Sequence, residues 1–147
     1  MRILLINGPN LNMLGQRQPE IYGSLTLHDI VDRVTARAKE LGAEIVPFQS
    51  NSEGAIVDFI QANALAADGV IINAGALTHY GLSLRDAFES VQKPFVEVHI
   101  SNIHAREEFR HHSVLADIAV AQIAGLGWRG YIEALDALIG ILKDKKS

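Results

Sequence analysis

Cysteine is absent from this chain, which excludes disulfides, thiolate nucleophiles, iron–sulfur clusters and cysteine-based zinc sites. Basic residues are outnumbered, 13 against 17 acidic ones, and the net charge of −4 has the wrong sign for a dedicated nucleic-acid binder. No apolar run reaches the length of a membrane span, because Asn7, Asn73 and Glu97 interrupt the most hydrophobic stretches. Internal repeats, linkers and low-complexity tracts are missing too. Met1-Arg2 leads straight into strand-like residues without the basic–apolar–small pattern of a secretory leader, so the expectation is a cytoplasmic protein without membrane or nucleic-acid partners. What is present is an ordinary globular composition, 48% hydrophobic and 20% charged over 147 residues, enough for one domain spanning 1–147.

Short apolar runs alternate with longer amphipathic ones. Ile3 to Ile6 is continuously apolar and ends at Asn7-Gly8-Pro9-Asn10, the pattern of a parallel strand covered on both faces. Ile30, Val31, Val34, Ala38 and Leu41 follow at helical spacing and stop at Gly42, with Thr26 and Asp29 as a capping box. Glu44 to Phe48, Gly69 to Asn73 and Phe95 to Ile100 are further strands, and Ile118 to Ala124 is a weaker fifth. Between them run helical stripes through Ile56, Phe59 and Ile60 and through Leu84, Ala87, Phe88 and Val91. A last helix carries Trp128 to Leu142, and Lys143 to Lys146 reads as a solvated tail. Such alternation implies right-handed crossovers and an α/β fold: a flavodoxin-like three-layer sandwich with a five-stranded parallel sheet in the order 2-1-3-4-5. One segment breaks the rhythm. Gly8 to Ser24 contains three glycines and two of the four prolines, and its part near 15–24 reads as a lid over a binding site.

Ligands of such sheets sit at the carboxyl ends of the strands, beside the point where strand order reverses. Asn10, Asn73 and His99 fall at the ends of strands one, three and four and would converge on one crevice, with Glu97 two positions before His99 on the same face. There is no GxGxxG after strand one, no GxxxxGK[ST] and no GxSxG elbow. His99, His104, His111 and His112 have neither an HExxH pattern nor a carboxylate cluster to support a metal, and no lysine falls at a strand's carboxyl end to form a Schiff base. Proton chemistry by His, Tyr and Arg remains. Tyr22 shares a loop with Arg17, a cation that could stabilise its phenolate, and His99 would complete a base and acid for eliminating water next to a carbonyl.

The motif Asn7-Gly8-Pro9-Asn10-Leu11-Asn12-Met13-Leu14-Gly15, then Arg17 and Pro19-Glu20-Ile21-Tyr22-Gly23, resembles type II 3-dehydroquinate dehydratase. The resemblance continues through Gln49 to Gly54, Asn73 to His79 and Leu84 to Ala87, and is strongest from Glu97 to Arg110. It implies a trans-dehydration of 3-dehydroquinate through an enolate, with no cofactor and no metal. It further implies Tyr22 as base, His99 as acid and Arg17 as the stabiliser of tyrosinate and enolate. Asn10 would position a water near the enolate oxygen, and Glu97 would orient His99. Asn73, His79, Ile100, Ser101 and Arg110 would hold the substrate. Asp86 would reach the site of a neighbouring subunit in a homododecamer built of trimers.

Each residue taken singly has a plainer reading. Gly8-Pro9-Asn10 reads as a turn, Arg17 and Tyr22 as solvated loop residues, and His99 as a hydrogen-bonded core histidine. Thr78 and His79 can serve to cap the third helix, Arg85 and Asp86 to form a solvated pair, and Arg106 to His112 to form a charged helix face on which Glu107 or Glu108 neutralises Arg110. The alternative to an enzyme is a flavodoxin-like module that binds a nucleotide or small acid in the same crevice without turning it over.

Overall fold

The computed structural model describes residues 1–16, 20 and 24–146. Five strands form one sheet: β1 (Arg2–Asn7), β2 (Glu44–Gln49), β3 (Gly69–Asn73), β4 (Phe95–His99) and β5 (Ala121–Ala124). Every pairing is parallel and the order is β2-β1-β3-β4-β5, as the alternation of patterns predicts. The helices are α1 (Leu27–Glu40), α2 (Glu53–Asn63), α3 (Leu82–Val91) and α4 (Arg129–Lys146).

The period of two along a strand splits the core into two layers. Ile3, Leu5, Ile71, Val96 and Val98 face α1 and α4, where Val34, Leu135 and Leu138 meet them. Leu4, Ile6, Val70, Ile72 and Phe95 face α2 and α3, against Ile56, Ile60, Leu84 and Phe88. Most of these side chains are fully buried, and each contributes roughly 1.5–3 kcal/mol of transfer free energy. The same alternation puts Asn7 and Asn73 on the α4 side, and Glu97 and His99 on the other. At α1, Thr26 accepts from the Asp29 N–H and Asp29 accepts from the Thr26 N–H, both at 3.1 Å, so the capping box is complete.

Four local expectations are corrected. Ile118 and Ala119 are not part of β5: their N–H groups turn back to the Leu115 carbonyl, so the strand starts at Ala121. The stretch from Arg106 to His112 is not a helix face: it holds the single 3-10 turn Glu108–Arg110, preceded by another at Ile103–Ala105. Lys143 to Lys146 continue α4 instead of forming a tail, with lysines in the last turn, where they complement the helix dipole. Thr78 and His79 do not cap α3. Its first turn begins after Gly81, and the Leu84 N–H is taken by the Glu53 carboxylate of α2 at 3.0 Å.

The loops after β1 and β3 touch. The Gly8 N–H donates to the Asn73 carbonyl at 2.8 Å, and a Cβ on Gly8 would stand 2.5 Å from the Ala74 carbonyl oxygen. At Gly75, φ +59°, a Cβ would stand 2.9 Å from the Pro9 carbonyl oxygen. Substituting Gly8→Ala is expected to cost about 3 kcal/mol, since backbone and not a flexible side chain must yield. Gly140→Ala, in mid-helix with nothing within 4 Å of the added methyl, is expected to gain about 0.5–1 kcal/mol. Urea midpoints at one protein concentration check both; a tolerated Gly8→Ala would mean that the two loops are not in contact.

Candidate active site

At the carboxyl ends of β1, β3 and β4, Pro9, Asn10, Leu11 and Leu14 face Asn73, Gly75, Ala76 and His79 across a cavity of about 150 Å³. His99, Ile100, Ser101, Ile103, Arg106 and Arg110 complete its wall. The structure therefore brings together Asn10, Asn73, His79, His99, Ile100, Ser101 and Arg110 of the residues named from sequence. Glu97 stands directly behind His99. Asp86 is exposed on α3 and does not line the cavity of its own chain. Arg17, Tyr22 and most of the segment read as a lid lie outside the described residues.

Glu97 is fully buried on the middle of β4, and a carboxylate there must be supplied with donors by the protein. Three converge on it. The Thr78 hydroxyl donates at 2.8 Å, the His99 Nε2–H at 2.5 Å, and the Ser113 hydroxyl reaches Oε1 at 2.8 Å. The Ser113 oxygen meanwhile accepts the Leu115 and Ala116 N–H groups at 3.1 and 3.0 Å, which turns its single proton toward Glu97. Burial pushes the Glu97 carboxyl up, but the His99 ring and the two hydroxyls outweigh it and hold the group below its ordinary value. With Nε2 committed to Glu97, Nδ1 is the His99 nitrogen left to face a substrate.

A second buried network lies on the other face of the sheet. The Tyr131 hydroxyl, from α4, donates to Asn7 Oδ1 at 2.7 Å and accepts from Asn73 Nδ2 at 2.9 Å. Asn73 Oδ1 takes the Gly75 N–H at 3.1 Å, so this amide is locked into the floor of the cavity. Burial raises the Tyr131 phenol well above its usual value, which keeps it a neutral relay. Asn73 thus satisfies a backbone N–H and lines the cavity as well.

At the wall, His79 Nδ1–H donates to the His112 carbonyl at 2.8 Å. Burial lowers the His79 pKa, with the charges of His99 and Arg110 acting the same way, so the ring is neutral at pH 7 and its Nε2 is an acceptor. Arg110 is braced by Glu107 Oε2 at 2.8 Å and still lines the cavity. Arg85 is not paired with Asp86. Neighbours in a helix do not face each other, and its guanidinium forks onto Asp117 and bonds the Val114 carbonyl at 2.8 Å.

Sequence reasoning missed Thr78, Ser113, Arg106 and the site-directed side of Tyr131. Arg106 carried a signal, four positions before Arg110 in the strongest motif. The other three depend on contacts that no local pattern encodes. Among the described residues, no three His, Asp or Glu side chains are grouped to hold a metal ion.

The whole-chain comparisons agree with this geometry. Residues 1–139 match the family model described as dehydroquinase class II. The chain is 57% identical to the 3-dehydroquinate dehydratase of Roseiflexus castenholzii over 95% of this chain and 89% of that one. It is 53% identical to the catabolic 3-dehydroquinase of Aspergillus clavatus over 99% and 97%. A crystal structure of type II dehydroquinase from Butyrivibrio crossotus superimposes with a TM-score of 0.91 at 48% identity, covering 94% of this chain and 97% of that one.

The Glu97 network has a pH signature. A carboxyl whose folded-state pKa is lowered contributes stability that is full above its unfolded value and is lost as pH falls through the folded one. The stability gap between wild type and Glu97→Gln is thus expected to be widest near neutrality and to close in acid, measured by urea unfolding from about pH 7 to about pH 3. A gap that stays constant would contradict the ionised assignment. Ser113→Ala, which strands two backbone N–H groups, is expected to cost about 1–3 kcal/mol at pH 7.

Proposed function

The chain belongs to the class II dehydroquinase family, and from that premise we propose that it dehydrates 3-dehydroquinate to 3-dehydroshikimate by trans elimination through an enolate, as a step of the shikimate pathway. The working unit is a single catalytic domain, 1–147, with a lid at about 15–24. The Tyr22 phenolate takes the proton alpha to the ketone, and the electron pair moves onto the ketone oxygen. Arg17 favours the phenolate and steadies the enolate, and Asn10 positions a water at the developing oxyanion. The enolate then collapses, the C–O bond breaks, and His99 protonates the departing hydroxyl, leaving water and a double bond conjugated with the ketone.

The observation that carries this reading is the His99–Glu97 pair opening onto a cavity walled by hydrogen-bonding groups. A buried carboxylate on Nε2 stabilises the imidazolium and fixes its ring, which suits His99 to act as an acid. Neutral His79 offers an acceptor for a substrate hydroxyl. Asn73, Ile100, Ser101 and Arg110 supply the remaining contacts, with Arg110 suited to a carboxylate. Asp86, exposed and outside its own cavity, is assigned to the site of a neighbouring subunit, within a homododecamer of four trimers. The proposed compartment is the cytoplasm.

Purified protein given 3-dehydroquinate, with no metal or nucleotide added, is expected to produce the near-ultraviolet absorbance of a conjugated enone carboxylate. Tyr22→Phe and His99→Ala should each lower kcat by about 100-fold or more. Unchanged turnover in Tyr22→Phe would keep the reaction and remove the base; a flat trace from folded wild type would favour a small-molecule binder. Sedimentation at micromolar protein is expected to give a mass far above the 16.0 kDa of one chain. A monomer would remove the role of Asp86.

A further inference from the structure

The segment Gln49 to Gly54 belongs to the family motif, yet none of its residues lines the cavity. Its hydrogen bonds point at the site all the same. Asn51 Oδ1 accepts the backbone N–H of Asn10 at 3.0 Å, and Gln49 Nε2 donates both to the Gly8 carbonyl at 3.2 Å and to Asn51 Oδ1 at 3.2 Å. Gln49 ends β2, and Gly8 and Asn10 follow β1, so one strand-end loop clasps its neighbour. The polarity is forced by the backbone partners. A carbonyl at Gly8 requires the donor end of Gln49, and an N–H at Asn10 requires the acceptor end of Asn51.

What is clasped is strained. Asn10 stands at φ +69°, ψ −4°, in the left-handed region, which asparagine enters more readily than other side-chain-bearing residues but still at a cost that local hydrogen bonds must offset. Its carbonyl starts the next turn by accepting the Met13 N–H at 3.0 Å, and its N–H is held by Asn51. The left-handed backbone sets where the Asn10 side chain enters the cavity.

We propose that Asn51 and Gln49 are positioning residues that hold Asn10 in its left-handed conformation and thereby place its side chain for the transition state. The inference rests on the oxyanion role assigned to Asn10 under the proposed function. Because that role is exercised on charge that develops in the reaction, the pair acts on kcat and leaves KM nearly unchanged.

Forced polarity gives the test. Asn51→Asp keeps both accepted bonds, whereas Gln49→Glu puts an acceptor against two acceptors; both variants add the same charge at nearly the same place. Asn51→Ala and Gln49→Glu are expected to lower kcat about tenfold or more with KM within about twofold, and Asn51→Asp to retain most of the wild-type rate. Ser52→Ala is the structural control. Ser52 caps α2 by accepting the Ala55 N–H at 3.2 Å, and its loss should lower the Tm without changing kcat. Hydrogen exchange at the Asn10 amide is the readout independent of turnover, with protection lost in Asn51→Ala and kept in Asn51→Asp. Equal rates in Asn51→Ala and wild type would overturn the proposal, as would equal losses in Asn51→Ala and Asn51→Asp. A wild type without turnover would remove the dehydratase reading, and amide exchange alone would then decide whether the clasp holds Asn10.

Discussion

A carboxylate without solvent exposure has to be solvated by protein, and Glu97 makes three separate segments meet to do it. Thr78 comes from the turn after β3, His99 from β4 itself and Ser113 from the segment leading to β5. Each donor carries a consequence beyond its bond. Thr78 fixes the turn that bears His79, and Ser113 organises the backbone at Leu115 and Ala116. The preceding residue, His112, offers the carbonyl that sets the His79 tautomer. The wall of the cavity is thus built outward from one buried charge.

The floor obeys a similar constraint on the opposite side of the sheet. Parallel strands buried on both faces leave their carboxyl ends as the place where polar groups can gather. There Asn7, Asn73 and Tyr131 satisfy one another while Gly8 and Gly75 let two loops approach within contact. Both networks are closed: no buried side-chain nitrogen or oxygen among the described residues lacks a partner. A rigid floor and wall suit a site that must discriminate a reacting geometry by fractions of an ångström.

Local periodicity makes the sheet order, the helices and the convergence of Asn10, Asn73 and His99 legible in the sequence. A run of two along β4 was enough to put Glu97 beside His99. The family motif, read as a resemblance, added His79, Ile100, Ser101 and Arg110 to the same cavity. What stayed hidden is long-range. The hydroxyl of Tyr131 meets Asn7 across 124 residues of sequence, and nothing near either residue announces it. Ser113 follows two exposed histidines and looks like surface until β4 is placed against it. Arg85 pairs with Asp117 and not with its neighbour Asp86, because adjacent side chains on a helix point in different directions and the partner comes from the loop packed against it.

The distribution of charge separates the site from the rest of the molecule. The chain as a whole carries −4, yet among the described residues no Asp or Glu lines the cavity, while the cations Arg106 and Arg110 do. Glu97 lies behind His99 and spends its charge on the imidazole and two hydroxyls, and Glu107 braces Arg110 from outside. A locally positive cavity in a negative molecule draws an anionic substrate to one place and repels it elsewhere. In the reaction proposed above, the same field that attracts a carboxylate would favour an enolate over the ketone from which it forms. On that proposal binding and catalysis draw on one arrangement of charge, and the ionised Glu97, by holding Nε2, fixes the His99 ring within it.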